Sequence, residues 1–134
     1  MKITPLDGWI CQKIGANQPH FTRKAVEDWQ LSRMNETLAL ARARSPFYRK
    51  LFAGLSETLH SLHDLRQYPF TTPEDIRRIP LQFVCVSQDE IQRVVTLQTS
   101  GTTGLPKRFY FTAEDQELTV DFFGVGMSTL TQPG

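Results

Sequence analysis

The sequence is poor in cysteine, with only Cys11 and Cys85 among 134 residues. Two thiols this far apart make neither a disulfide framework nor a thiolate metal site. Cys85 sits in Phe83-Val84-Cys85-Val86 and reads as a small buried apolar residue. Net charge is lacking too: 15 Lys plus Arg against 14 Asp plus Glu leave +1. Bulk attraction to nucleic acid or to an anionic membrane is thereby excluded. No stretch approaches the roughly 18 apolar residues of a transmembrane helix. Met1 to Gly15 contains no apolar run long enough for a signal-peptide core. There is no internal repeat and no low-complexity tract. A reducing cytoplasm suits such a chain.

What is present is the composition of an ordinary globular unit, 40% hydrophobic and 22% charged. A chain near 150 residues buries roughly 68–70% of its unfolded surface. Residues 1–134 therefore read as one domain or part of one, in three stretches. Residues 1–20, with Pro5, Gly8, Gly15 and Pro19, read as an irregular lead-in. Residues 21–80 read as mainly helical. Thr22 to Ser45 carries an apolar stripe of Leu31, Met34, Leu38 and Ala41. Thr22 is its expected N-cap, with Phe21 and Val26 as a hydrophobic staple, and Pro46 ends it. Arg23 and Lys24 oppose the helix dipole in its first turn. A short helix over 46–52 and a turn over 59–65 follow. Thr72-Pro73-Glu74-Asp75 then opens a capped helix over 73–78.

Residues 81–134 read as strands over 81–86, 92–98 and 108–111, then a helix capped by Thr112. The fold class is α/β, or α+β for this stretch alone. Leu118, Phe122 and Val125 mark one face of the last helix, while Val120, Phe123, Met127 and Leu130 mark others. A helix apolar all round is expected to be buried on every side. Nothing after it supplies a cover, so the sequence reads as the N-terminal portion of a larger domain.

Thr99-Ser100-Gly101-Thr102-Thr103-Gly104-Leu105-Pro106-Lys107 joins two of the expected strands. Gly101 and Gly104 free the backbone to turn N–H groups toward an anion. Ser100, Thr102 and Thr103 add hydroxyl donors, and Lys107 adds a cation. A plain hairpin turn has no need of so many hydroxyls and would use Asn-Gly or Asp-Gly. A Walker loop is excluded, because Pro106 stands where its second glycine belongs and Arg108 where its Ser or Thr belongs.

This stretch resembles, position by position, the phosphate-binding signature [ST]-[SG]-G-[ST]-T-G-x-P-K of the adenylate-forming superfamily, which includes acyl-CoA synthetases, peptide-synthetase adenylation domains and luciferases. Ser45-Pro46-Phe47-Tyr48-Arg49, Leu62-His63-Asp64-Leu65 and Pro69 to Arg77 further resemble the N-terminal region of phenylacetate–CoA ligases. The resemblance covers roughly residues 28 to 130. It implies a helical part packed on a small β-hairpin that carries the phosphate loop. It also implies a small carboxylic acid, ATP with Mg2+, and coenzyme A or a carrier protein as substrates. Thr99, Ser100, Gly101, Thr102, Thr103, Gly104 and Lys107 would hold the nucleotide phosphates. Arg108 departs from the glycine often found there, and Pro73 from a common lysine. The superfamily's adenine, ribose and catalytic lysine positions have no counterpart among these residues, so no catalytic residue is assigned. Alone, the chain is expected to be inactive.

Other groupings read as structural. His60-x-x-His63-Asp64 has helical spacing but no third zinc ligand. Arg42, Arg44, Arg49 and Lys50 suit helix C-termini better than a nucleic-acid patch. Asp89 and Glu90 read as a solvated turn. A separate reading makes the chain a stand-alone interaction module, dimerising through the 113–130 helix.

Overall fold

The computed structural model describes residues 6–16, 21–97 and 106–131. Its longest element is α2, Arg23–Arg44, preceded by α1, Asp7–Ile14. After α2 come α3, Pro46–Leu51, a 3-10 turn over Leu62–Gln67, and α4, Pro73–Arg78. Two further 3-10 turns, Pro80–Phe83 and Gln88–Glu90, lead into strands β1, Arg93–Leu97, and β2, Lys107–Phe111. Helix α5, Ala113–Ser128, follows directly.

α2 begins where its cap requires. The Thr22 hydroxyl accepts from the Ala25 N–H at 3.1 Å. The adverse cations of its first turn are neutralised one turn on: Arg23 pairs with Glu27 at 2.7 Å and Lys24 with Asp28 at 2.6 Å. Ser45 leaves the helix in extended geometry ahead of Pro46. The stripe behaves as its spacing predicts. Leu38 and Ala41 are buried with Phe52 and Leu59, and Leu31, Met34, Tyr48 and Tyr68 pack around them.

Two polar clamps close this core. The Asn35 amide donates to the Leu59 carbonyl at 3.0 Å and accepts from the Leu59 N–H at 2.8 Å. The Arg42 guanidinium donates to the carbonyl oxygens of Phe52 (3.0 Å) and Ser56 and to the Tyr68 hydroxyl (3.2 Å). It also lies over the Phe52 and Tyr68 rings. Arg49 donates to the Arg42 and Ala43 carbonyls at the end of α2, the cation-at-C-terminus role expected of it.

Three expectations are corrected. The lead-in holds a helix: Asp7 supplies the first-turn charge of α1, Asp7 and Cys11 are buried one turn apart, and Gly15 at φ 67° closes the end. Gly15 is thus a helix stop rather than a loop marker. The strand expected over 81–86 is absent. Pro80 offers no N–H to a ladder, and the Val84 N–H turns back to the Leu81 carbonyl at 3.3 Å. Among the described residues the sheet is the two-stranded pair β1–β2. The turn expected over 59–65 lies later, because Ser61 and Asp64 form a capping box that starts it at Leu62.

α5 starts as read: the Thr112 N–H donates to Asp115 Oδ2 at 2.9 Å and the Asp115 N–H returns to Thr112 Oγ1 at 3.2 Å. As expected of these residues alone, it is left uncovered. None of its residues is buried: Val120 is 71% exposed, and Leu130, two residues past its end, is 79% exposed. No described helix is long and apolar enough to cross a membrane.

Candidate functional site

The hairpin is antiparallel and in register from Arg93↔Phe111 to Leu97↔Lys107. Val94, Val95 and Thr96 on β1 and Phe109, Tyr110 and Phe111 on β2 give it β-branched and aromatic cross-strand pairs. Its last pair brings Leu97 and Lys107 together, and with them the two ends of the segment that joins the strands. The expected phosphate-binding residues Thr99, Ser100, Gly101, Thr102, Thr103 and Gly104 lie outside the described residues. Lys107 is described: it is the first residue of β2 and half-buried.

Side chains alternate across a strand, so Lys107 and its neighbour Arg108 leave opposite faces of the hairpin. Lys107 shares a face with Leu97, Val95 and Phe109; Arg108 shares the other with Thr96, Val94 and Tyr110. β2 is held from behind by α4, by the Pro80–Phe83 turn and by the start of α5. The α4 support is the capped segment read from sequence. Thr72 accepts from the Asp75 N–H at 3.2 Å, and Asp75 accepts from the Thr72 N–H at 3.0 Å and its hydroxyl at 2.6 Å. These bonds, the hydroxyl's first, hold the Asp75 carboxyl below its ordinary range.

An open hollow of about 810 Å3 lies beside β2, walled by Tyr48, Phe83, Cys85, Arg108, Tyr110 and the start of α5. It escapes a sequence reading because its walls come from separate elements, and no periodicity links them. Aromatic contacts fix two of its walls: Phe83 packs against Phe47 with ring centres 4.1 Å apart, tilted by 32°, and Tyr48 meets the Phe83 edge at 5.6 Å. Partial burial pushes the Cys85 thiol pKa up.

The remaining polar groups are structural. Asp89 and Glu90 at the rim are exposed, and each is held below the ordinary carboxylate range chiefly by the Ser87 hydroxyl. Asp64 accepts from the Ser61 and His60 N–H groups, both at 2.9 Å, which likewise lowers its pKa. It is a cap acceptor rather than the carboxylate of a zinc site. Among the described residues no group of three His, Cys, Asp or Glu is placed to hold a metal ion.

With that geometry in hand, sequence comparison gives the chain its relatives. The chain is 35% identical over 95 residues to the phenylacetate-coenzyme A ligase of Pseudomonas putida, covering 68% of this chain and 21% of the ligase. The phenylacetate-coenzyme A ligases of Escherichia coli (strain K12) and Aromatoleum evansii are each 34% identical over 90 residues, 64% of this chain and 20% of theirs. No family model matches the chain. It spans about a fifth of the length of the curated relatives it matches. The similarity supports a relationship to ligases that join a carboxylic acid to coenzyme A.

Proposed function

We propose that this chain is the phosphate-binding portion of an ATP-dependent ligase that activates a small carboxylic acid as its acyl adenylate. The observation that carries the reading is the loop signature Thr99 to Lys107, set between the two strands of a hairpin whose register begins again at Lys107. Similarity to three phenylacetate-coenzyme A ligases supports the ligase relationship.

In the reaction proposed for the whole protein, a carboxylate oxygen attacks the α-phosphorus of ATP and the bond to pyrophosphate breaks. Coenzyme A, or a carrier-protein thiol, then takes the acyl group and releases AMP. The loop residues act on the leaving group. Backbone N–H groups at Gly101 and Gly104 and the hydroxyls of Ser100, Thr102 and Thr103 donate to β- and γ-phosphate oxygens. Thr99 opens the loop, and the Lys107 ammonium balances charge that builds on pyrophosphate as it departs. This is charge stabilisation by preplaced donors, which phosphoryl oxygens need more than covalent help. Mg2+ bound with ATP would supply the remaining counter-charge.

Calorimetric titration of the chain tests the reading. Mg-ATP and Mg-pyrophosphate are expected to compete for one weak site, with adenosine unable to displace either. Adenosine binding as tightly as ATP would overturn it.

The exposed apolar faces of α5 favour a second reading, an interaction module that pairs through 113–130. Under it, light scattering finds a defined dimer that Phe123→Glu converts to monomer. A monomeric parent chain would discard it.

A further inference from the structure

We propose that the hollow beside β2 binds a short zwitterion with an aromatic body, its carboxylate at Arg108 and its ammonium at the acidic group where β2 meets α5. At about 810 Å3 the hollow has the size of a small-molecule site, and the rings of Tyr48, Phe83 and Tyr110 line it. Its charges are sorted by end. Arg108, at the loop end of β2, is its cation. Asp89 and Glu90 line the other end together with Glu114 and Asp115 from the first turn of α5. The Gln92 N–H donates to the Phe111 carbonyl at 2.9 Å, closing the base of the hairpin and bringing these two acidic segments together. Lys107 and Arg93 share the opposite face of the hairpin and do not line the hollow.

These charges are not spent on one another. Capping accounts for Glu90 and Asp115. Glu114 and Arg108 make no hydrogen bond among the described residues, and none of the five charged groups there is in an ion pair. Arg44 offsets part of the negative charge at Glu90. The Ser87 hydroxyl holds Asp89 and Glu90 below the ordinary carboxylate range, so both are ionised at neutral pH. The spacing of the ends selects among zwitterions. From Arg108 to Thr112 the chain advances four residues, roughly 13 Å in a strand. Side chains reaching inward shorten that gap to about 10 Å, the length of an extended tripeptide. A single amino acid is too short to engage both ends. The assignment rests on the hollow alone, whether or not the phosphate loop binds nucleotide.

Titration of the full chain with the peptide Gly-Phe-Gly, followed by backbone amide NMR, tests it. Saturable shifts are expected at Val84, Cys85, Tyr110 and Thr112. The N-acetylated peptide lacks the ammonium and the C-terminal amide lacks the carboxylate. Each should bind roughly threefold to fivefold more weakly, which is what exposed ion pairs supply. Arg108→Gln should remove the preference for the free acid over the amide and keep the preference for the free amine. Glu114→Gln with Asp89→Asn should do the reverse. These side chains are exposed, so circular dichroism should match the parent chain. Equal affinity for the three peptides overturns the proposal, as does a preference for the free acid that survives Arg108→Gln. Absence of saturable shifts at these amides at tens of millimolar peptide overturns it as well.

Discussion

The Ser45 hydroxyl, fully buried, donates to the Gln82 carbonyl at 2.7 Å across 37 positions of sequence. The same oxygen accepts from the Tyr48 N–H at 3.2 Å, so one side chain caps α3 and fastens the Pro80–Phe83 turn that backs β2. Ser45→Ala leaves the Gln82 carbonyl and the Tyr48 N–H without this partner at a buried point. The expected cost is about 1–3 kcal/mol. Urea unfolding should show a lower midpoint with an unchanged slope.

Arg42 is a clamp whose shape matters. Its planar fork serves the carbonyls of Phe52, Leu55 and Ser56 and the Tyr68 hydroxyl while lying on two rings. Arg42→Met is expected to destabilise the chain by about 2–4 kcal/mol, since several charged hydrogen bonds go at once. Arg42→Lys should recover little, because a point charge cannot serve the fork. Thermal unfolding of the two variants checks both statements.

Acid should loosen the turns before the core. Asp64, Asp75 and Glu90 each have a lowered pKa, caused by donors from Ser61 and His60, from Thr72 and from Ser87. A lowered folded pKa means that the unfolded chain binds more protons in acid. The stabilisation is therefore whole above the ordinary carboxylate pKa of about 4 and is lost as pH falls through the lower folded values. Urea midpoints from pH 7 to pH 2.5 should decline in that window. Asp75→Asn should have a lower midpoint at pH 7 and a shallower decline.

Most of the helical part was legible in sequence because its signals are local. Thr22, Thr72 and Thr112 cap the helices they were expected to cap, and Pro46 and Pro73 sit at first helical positions. The hairpin was legible from β-branched residues on one side and aromatics on the other. What was missed depends on distant partners. Residues 81–86 have strand-like composition, yet Pro80 and the bond from Ser45 make a turn of them. α1 was hidden because Gly15, its stop, reads equally well as a loop glycine. The apolar surround of α5 reads as a surface these residues leave uncovered, and so it is; among the described residues α1 reaches its Asp121–Phe122 edge. The phosphate loop is read from its motif alone, and the hollow beside β2 escaped the sequence because its walls come from separate elements.

Lys107 begins β2 at the foot of the loop, on the face opposite Arg108. Lys107→Ala should leave the hairpin intact, as judged by circular dichroism and urea midpoint. Phosphate affinity should fall roughly tenfold, the loss of one charge-assisted contact. Arg108→Ala, on the other face, should lower it less.

Titration of the chain with Mg-pyrophosphate, followed by backbone amide NMR, tests the phosphate-loop assignment most directly. Saturable shifts are expected at Gly101, Thr102, Thr103 and Gly104, with a dissociation constant on the order of millimolar. Thr103→Val combined with Lys107→Ala should abolish them without disturbing α2. Amides of the loop that stay unmoved at saturating pyrophosphate, or shifts that survive in the double variant, would contradict the assignment.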